Sequence, residues 1–257
     1  MVDIVVSTSA YLAFNIVGMQ DLRRDLGVEA LIENANDHCW RRAFEVLLND
    51  RPSQFTIHGP FLFMDLSSKE CKFDEVIENY KWTFEYYNKY NAQHCVLHPH
   101  GFIKDYESQS REDRRALCIE RIHRLAELAE EYHANLLVEN MCYPKILFDQ
   151  EEYVALFDEI PNVQSLIDVG HALIKKWDFH RLMKDMGHKI DAFHIDDNDG
   201  ITDLHVKLGD GILDSEVFFD AYNRYCNGKR LVIEYLNVPT AEIEESADWI
   251  RGMVASA

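Results

Sequence analysis

The sequence predicts an α/β protein, a single (β/α)8 TIM barrel spanning residues 1–257. Short apolar runs rich in β-branched residues alternate with longer amphipathic segments along the whole chain. Eight such runs can be counted, and no composition shift or Pro/Gly-rich linker divides them. A doubly wound open sheet is the alternative. It usually carries a glycine-rich turn after the first strand, but that turn reads STSAYLAF here, and neither GxGxxG nor GxxxxGK[ST] occurs.

Asp3–Ser9 (DIVVSTS) reads as the first strand and Val28–Glu33 (VEALIE) as a weaker second one. Asp37 is a plausible N-cap for a helix running to Leu48. Gln54–His58 is a third strand, stopped by Gly59-Pro60. Phe73–Tyr90 is a long helix, because Phe73, Val76, Ile77, Tyr80, Phe84 and Tyr87 recur at helical spacing. Cys95–His98 is a fourth strand, ended by Pro99. Ser110–Tyr132 is a helix capped by Ser110 and Asp113, with Leu117, Ile122, Leu125 and Leu128 on one face.

Asn135–Glu139 is the fifth strand and Gln150–Phe157 a short helix. Val163–Asp168 is the sixth strand, stopped at Val169-Gly170; a helix over Asp178–Met186 leads to the seventh, Asp191–Ile195. Asp214 caps a helix to Tyr225, Arg230–Tyr235 is the eighth strand, and Glu242–Val254 is the last helix.

Apolar residues make up 47% of the chain and aromatics 12%, a globular balance. The formal net charge of -19 counts against nucleic acid and anionic membranes as main partners, since both are polyanions. The six cysteines form no CxxC pair and mostly sit in apolar contexts, so buried free thiols are expected. The N-terminus has no basic region followed by an apolar core, and no apolar run approaches bilayer length. These features read as a cytoplasmic protein, with homo-oligomer formation open.

Barrels of this kind carry their chemistry at the C-terminal ends of the strands. Here those ends are His58, His98, Glu139, Asp168 with His171 just beyond, His194 with Asp203 and His205 in the following loop, and Glu234. Any one of them alone is an ordinary hydrogen-bonded rim residue. Successive strands all ending in metal-ligating types point to a divalent cation. Glu139, Asp168, His194 and Glu234 would make a mostly oxygen shell suited to Mn²⁺, Mg²⁺ or Co²⁺. If His58, His98, His171 and His205 also bind metal, the site is imidazole-rich and multinuclear, and Zn²⁺ fits better.

His194–Gly211 (HIDDNDGITDLHVKLGDG) packs five aspartates, two histidines and three glycines into one stretch. Asp203 and His205 are its chemical residues. Asp196, Asp197 and Asp199 read as loop-shaping groups or partners of Lys207. Lys207 itself either meets a substrate phosphate or carboxylate or pairs with nearby aspartates. Tyr11, Phe14 and Trp40, in the loops after the first two strands, could wall a sugar ring or simply pack.

IHGP at His58, LHPH at His98, VEN at Glu139, DVGHA at Asp168, HIDDNDG at His194, DLHVKLGDG at Asp203 and IEY at Glu234 together resemble the xylose isomerase-like barrels. That superfamily includes sugar phosphate isomerases/epimerases and endonuclease IV. In its ketose 3-epimerase branch, the resemblance implies one Mn²⁺-like ion held by Glu139, Asp168, His194 and Glu234. It also implies that the two glutamates exchange a proton on opposite faces of a bound enediolate, with His171 touching a substrate oxygen.

In the endonuclease IV branch, the same four with His58, His98, His171, Asp203 and His205 correspond to ligands of a three-zinc cluster. The implied activity is a metal-dependent isomerase or epimerase of a small sugar, sugar phosphate or hydroxy-keto acid. The alternatives are a zinc phosphodiesterase, or a lyase or dehydratase on the same scaffold. Two departures stand out: Asp196 replaces the second His of HxHDNDG, and HVKLGDG replaces HLPLGDG.

Overall fold

A computed structural model of the chain describes residues 2–11, 16–33, 42, 45, 54–62, 64–100, 109–142 and 147–254. Its strands are β1 Ile4–Ser7, β2 Gly27–Leu31, β3 Phe55–His58, β4 Cys95–Leu97, β5 Leu136–Glu139, β6 Gln164–Asp168, β7 Ile190–Ile195 and β8 Arg230–Ile233. Each pairs in parallel with the next, and β8 returns to pair with β1, closing the barrel. The predicted (β/α)8 architecture is the one observed. Helices cover the outer face, so the strands are buried on both sides and carry near-continuous apolar runs.

The described helices are α1 Phe73–Tyr90, α2 Arg111–Glu131, α3 Gln150–Glu159, α4 Val169–Ile174, α5 Phe179–Met186, α6 Ser215–Tyr225 and α7 Thr240–Met253. Their starts are written in the sequence. Ser110, Asp149, Asp178 and Asp214 each accept a backbone N–H from three residues on, and Asp149 and Glu152 complete a reciprocal capping box.

Several strands end or begin a residue or two inside the expected limits. After Ser7, a 3-10 turn over Thr8–Ala10 takes the chain out of β1, with Ser7 Oγ accepting the Ser9 N–H at 3.3 Å. Helix α4 is an unexpected element, because Val169-Gly170 reads as a strand stop and is also a helix start. Asp168, the last residue of β6, is its N-cap and accepts the His171 N–H at 2.6 Å. The helix expected from Asp37 to Leu48 lies outside the described residues apart from Arg42 and Glu45.

Alternation along the strands sorts the core into two parts. Phe193, Tyr153, Phe218 and Tyr222 belong to the large cluster between barrel and helices. Val96, Leu137, Leu166 and Ala192 form a separate small cluster inside the barrel. Two residues beyond those four on the same strands stand His98, Glu139, Asp168 and His194, so the interior face rises from an apolar layer to a polar one.

Cys95, Cys118, Cys142 and Cys226 are buried free thiols, as expected, while Cys71 is free and half-buried; Cys39 lies outside the described residues. No described helix is long and apolar enough to cross a membrane.

Candidate metal centre

The strand-end residues converge. Glu139 from β5, Asp168 from β6, His194 from β7 and Glu234 just after β8 are all buried, and one ligand atom from each lies within 4.8 Å of the others. The Cα register pairs Asp168 with His194, which sets these two level at the same height of the barrel. His194 Nδ1 faces inward, 2.8 Å from Glu234 Oε2, 3.6 Å from Glu139 Oε1 and 3.7 Å from Asp168 Oδ2.

Three further groups adjoin this one. His58, His98 and Glu139 form the first, with His98 Nε2 2.8 Å from Glu139 Oε2. Cys142, His171 and Asp203 form the second, with His171 Nε2 3.1 Å from Asp203 Oδ2. Asp168, Asp196 and His205 form the third, with His205 Nδ1 3.3 Å from Asp196 Oδ2. All nine strand-end and loop residues singled out in the sequence are thus contiguous. His205 also holds a left-handed backbone (φ 46°), a conformation costly for a residue with a Cβ and found where local geometry is imposed by function.

The donor set fits divalent cations. The outer nitrogens of three imidazoles are tied to acceptors: His58 Nδ1 to the Gly59 carbonyl (2.9 Å), His171 Nδ1 to the Asn140 carbonyl (2.7 Å) and His194 Nε2 to Glu29 (2.9 Å). Each leaves its other nitrogen turned toward the cluster, the arrangement typical of metal-binding histidines. Asp168 Oδ2 and Asp196 Oδ2 are buried atoms in no hydrogen bond. Buried polar atoms rarely go unmatched without a reason, and a cation would match these.

The electrostatics agree. Burial alone would lower the His171 and His194 imidazoles. Asp168 and Asp203 beside the one, and Glu234, Glu29 and Glu139 beside the other, override it and hold both well above the usual range. His58 is likewise pushed up to about 9 against burial, by Glu139 first. Asp168 is raised to about 6, by burial first. His98 goes the other way, lowered by burial first, so the pull on positive charge is centred on His58, His171 and His194.

Two interior residues escaped the sequence reading. Glu29 of β2 and His94, just before β4, are fully buried and hydrogen-bonded to one another at 3.0 Å. One signal existed for the first: a carboxylate inside a strand with apolar neighbours on both sides. Asp196 corrects the reading of it as a loop-shaping group, since its buried carboxylate sits in a ligand group. Asp197 and Asp199 do shape the loop. Asp197 accepts the N–H groups of Asn198, Gly209, Gly211 and Leu213, and Asp199 those of Ile201 and Thr202. Lys207 pairs with Glu242 of α7 at 2.8 Å, a partner from a distant helix and not an aspartate of its own loop. Tyr11 is buried in the main core, its hydroxyl accepting from Thr240 at 3.3 Å. Phe14 and Trp40 lie outside the described residues.

A closed parallel barrel whose strands end in ligating side chains defines the class. The family described as xylose isomerase-like TIM barrel matches residues 10–253, and the chain belongs to it. An uncharacterised protein of Methanocaldococcus jannaschii, MJ1614, is 26% identical over 162 residues, which is 62% of this chain and 61% of that protein's length. A D-tagatose 3-epimerase-like protein has the same fold, with a TM-score of 0.81 at 17% identity over 98% of this chain and 96% of that one. The TTHB071 protein of Thermus thermophilus, in a crystal soaked with ZnCl2, gives a TM-score of 0.73 at 19% identity over 98% of this chain and 97% of that one.

Proposed function

We propose that the protein is a divalent-metal-dependent isomerase or epimerase of a small sugar, sugar phosphate or hydroxy-keto acid. The observation that supports this best is the buried group of Glu139, Asp168, His194 and Glu234, two glutamates with an aspartate and an imidazole, at the C-terminal ends of consecutive strands. The likeness to a D-tagatose 3-epimerase-like protein supports the substrate class. A bound Mn²⁺, Mg²⁺, Co²⁺ or Zn²⁺ would polarise a substrate carbonyl and the neighbouring hydroxyl.

The chain's own residues do the rest. Glu139 and Glu234 are the acid–base pair, one taking a proton from the carbon beside the carbonyl and the other returning one to the opposite face. Asp168 and His194 would hold the cation beside the two glutamates. His171, its Nδ1 tied to the Asn140 carbonyl, presents Nε2 to a substrate oxygen. Near-complete burial of the group keeps bulk water from a carbanionic species. The test is carbon-bound hydrogen exchange: with Mn²⁺ in D2O the protein should exchange a hydrogen of its ketose, and Glu234→Gln should not. Exchange retained in that variant overturns the role of Glu234.

One observation favours a second reading, zinc-dependent phosphodiester cleavage. The added groups around His58, His171 and His205 give ligands enough for several metals, with Glu139 shared. The net charge of -19 weighs against a nucleic acid backbone as substrate. Chelator-sensitive cleavage of a duplex containing an abasic site would establish this reading in place of the first.

A further inference from the structure

Glu29 lies wholly inside the barrel, with two different sets of partners. Its Oε1 is 2.9 Å from His194 Nε2, and its Oε2 is 3.0 Å from both His94 Nε2 and Thr56 Oγ1. On the far side of His94, Nδ1 is 3.0 Å from Arg230 Nη1. A guanidinium only donates, so these bonds have one direction. Arg230 donates to His94 Nδ1, and His94 therefore carries its proton on Nε2 and donates it to Glu29 Oε2. The Thr56 hydroxyl donates to the same oxygen. Oε1 is left to accept from His194 Nε2–H. Asp191 Oδ2 also approaches His94 Nδ1, but at 3.6 Å it is beyond hydrogen-bond range.

We infer that Glu29, oriented by His94 and Arg230, is a positioning residue that fixes the His194 tautomer and thereby presents Nδ1 as a lone pair to the metal group. The inference rests on the metal reading above. A His194 ring with its single proton on Nδ1 would offer the group an N–H and nothing to coordinate with. The control comes from the opposite end of β7 and β8: Arg230 opens β8, whereas His194 is near the end of β7.

Glu29→Gln gives a directional test, because an amide has one accepting atom and one donating atom. Thr56 and a pinned His94 both donate at the Oε2 position, so the amide oxygen settles there and its NH2 faces His194. His194 must then accept at Nε2 and protonate at Nδ1. Removing the Arg230 donor frees His94 to place its proton on Nδ1 beside Asp191. The amide can then reverse and restore His194.

The experiment measures Zn²⁺ affinity of the full chain by competition with a chromophoric chelator. The zinc at His194 is followed through long-range ¹H–¹⁵N spectra of ¹⁵N-histidine protein. Wild type should show zinc-bound His194 protonated at Nε2. E29Q should bind that zinc roughly 10- to 100-fold more weakly, and E29Q/R230M should recover part of the loss. Equal affinity in wild type and E29Q, or no recovery in the double variant, overturns the relay. So does zinc-loaded wild type protonated at Nδ1, a reading that decides alone if E29Q does not fold. No zinc uptake by the wild type is a different result and overturns the metal reading itself.

Discussion

Glu139 and His98 meet at 2.8 Å, Oε2 to Nε2, while the other oxygen of Glu139 faces His194 Nδ1 at 3.6 Å. One carboxylate therefore belongs to two ligand groups, and each of its oxygens serves a different one. A carboxylate can bridge in this way because both oxygens are acceptors. A glutamine has one acceptor and one donor, and cannot. Glu139→Gln is expected to lower the metal content of both groups. His98→Gln is expected to lower only that of the His58–His98–Glu139 group. Metal analysis after saturation and gel filtration checks this, and equal content in both variants and the wild type would refute the bridging role.

Asp196 supplies a second prediction. Its Oδ1 accepts the Gly170 N–H at 2.9 Å, and its Oδ2 is buried without a hydrogen bond, 3.3 Å from His205 Nδ1. Burial first, then the Asp168 charge, pushes its carboxyl well above the usual range, which favours the protonated form. Asn is isosteric with a protonated aspartate. Asp196→Asn should leave the thermal midpoint of the metal-free protein nearly unchanged while weakening metal uptake at this group by at least about tenfold. A large drop in the metal-free midpoint would make Asp196 a structural residue instead.

The sequence disclosed the barrel and its rim for a shared physical reason. Strand ends are punctuated by Gly, Pro or a polar turn, so His58 before Gly59-Pro60 and His98 before Pro99 can be read as termini without coordinates. The interior layer beneath them has no such marks. Glu29 within GVEAL is marked only by its apolar neighbours, and its role appears only when barrel closure brings it to His194, 165 residues away. Asp196 was hidden differently. Among five aspartates in one loop, nothing local separates the one that turns inward from Asp197 and Asp199, which serve the backbone. Lys207 pairs with Glu242 on the last helix, a partner that sequence proximity, which points to the aspartates of its own loop, does not disclose.

Glu152 predicts how stability depends on pH. It closes the α3 capping box through the Asp149 N–H at 3.0 Å and receives Arg111 Nη1 of α2 at 3.0 Å, with Arg115 on the same oxygen. The Arg111 hydrogen bond, ahead of the other influences, holds its carboxyl at about 2, against 4.5 for the free group. A carboxyl depressed in the folded state stabilises above its unfolded value, and loses that contribution as the pH falls through the folded one. The side chain is a quarter exposed, so solvent screening reduces the benefit to about 1–2 kcal/mol. Glu152→Gln should therefore cost about that much at pH 7 in urea unfolding. The gap between variant and wild type should narrow steadily from pH 4.5 towards 2. A gap that stays constant over that interval would assign the effect to the lost cap geometry and not to the charge.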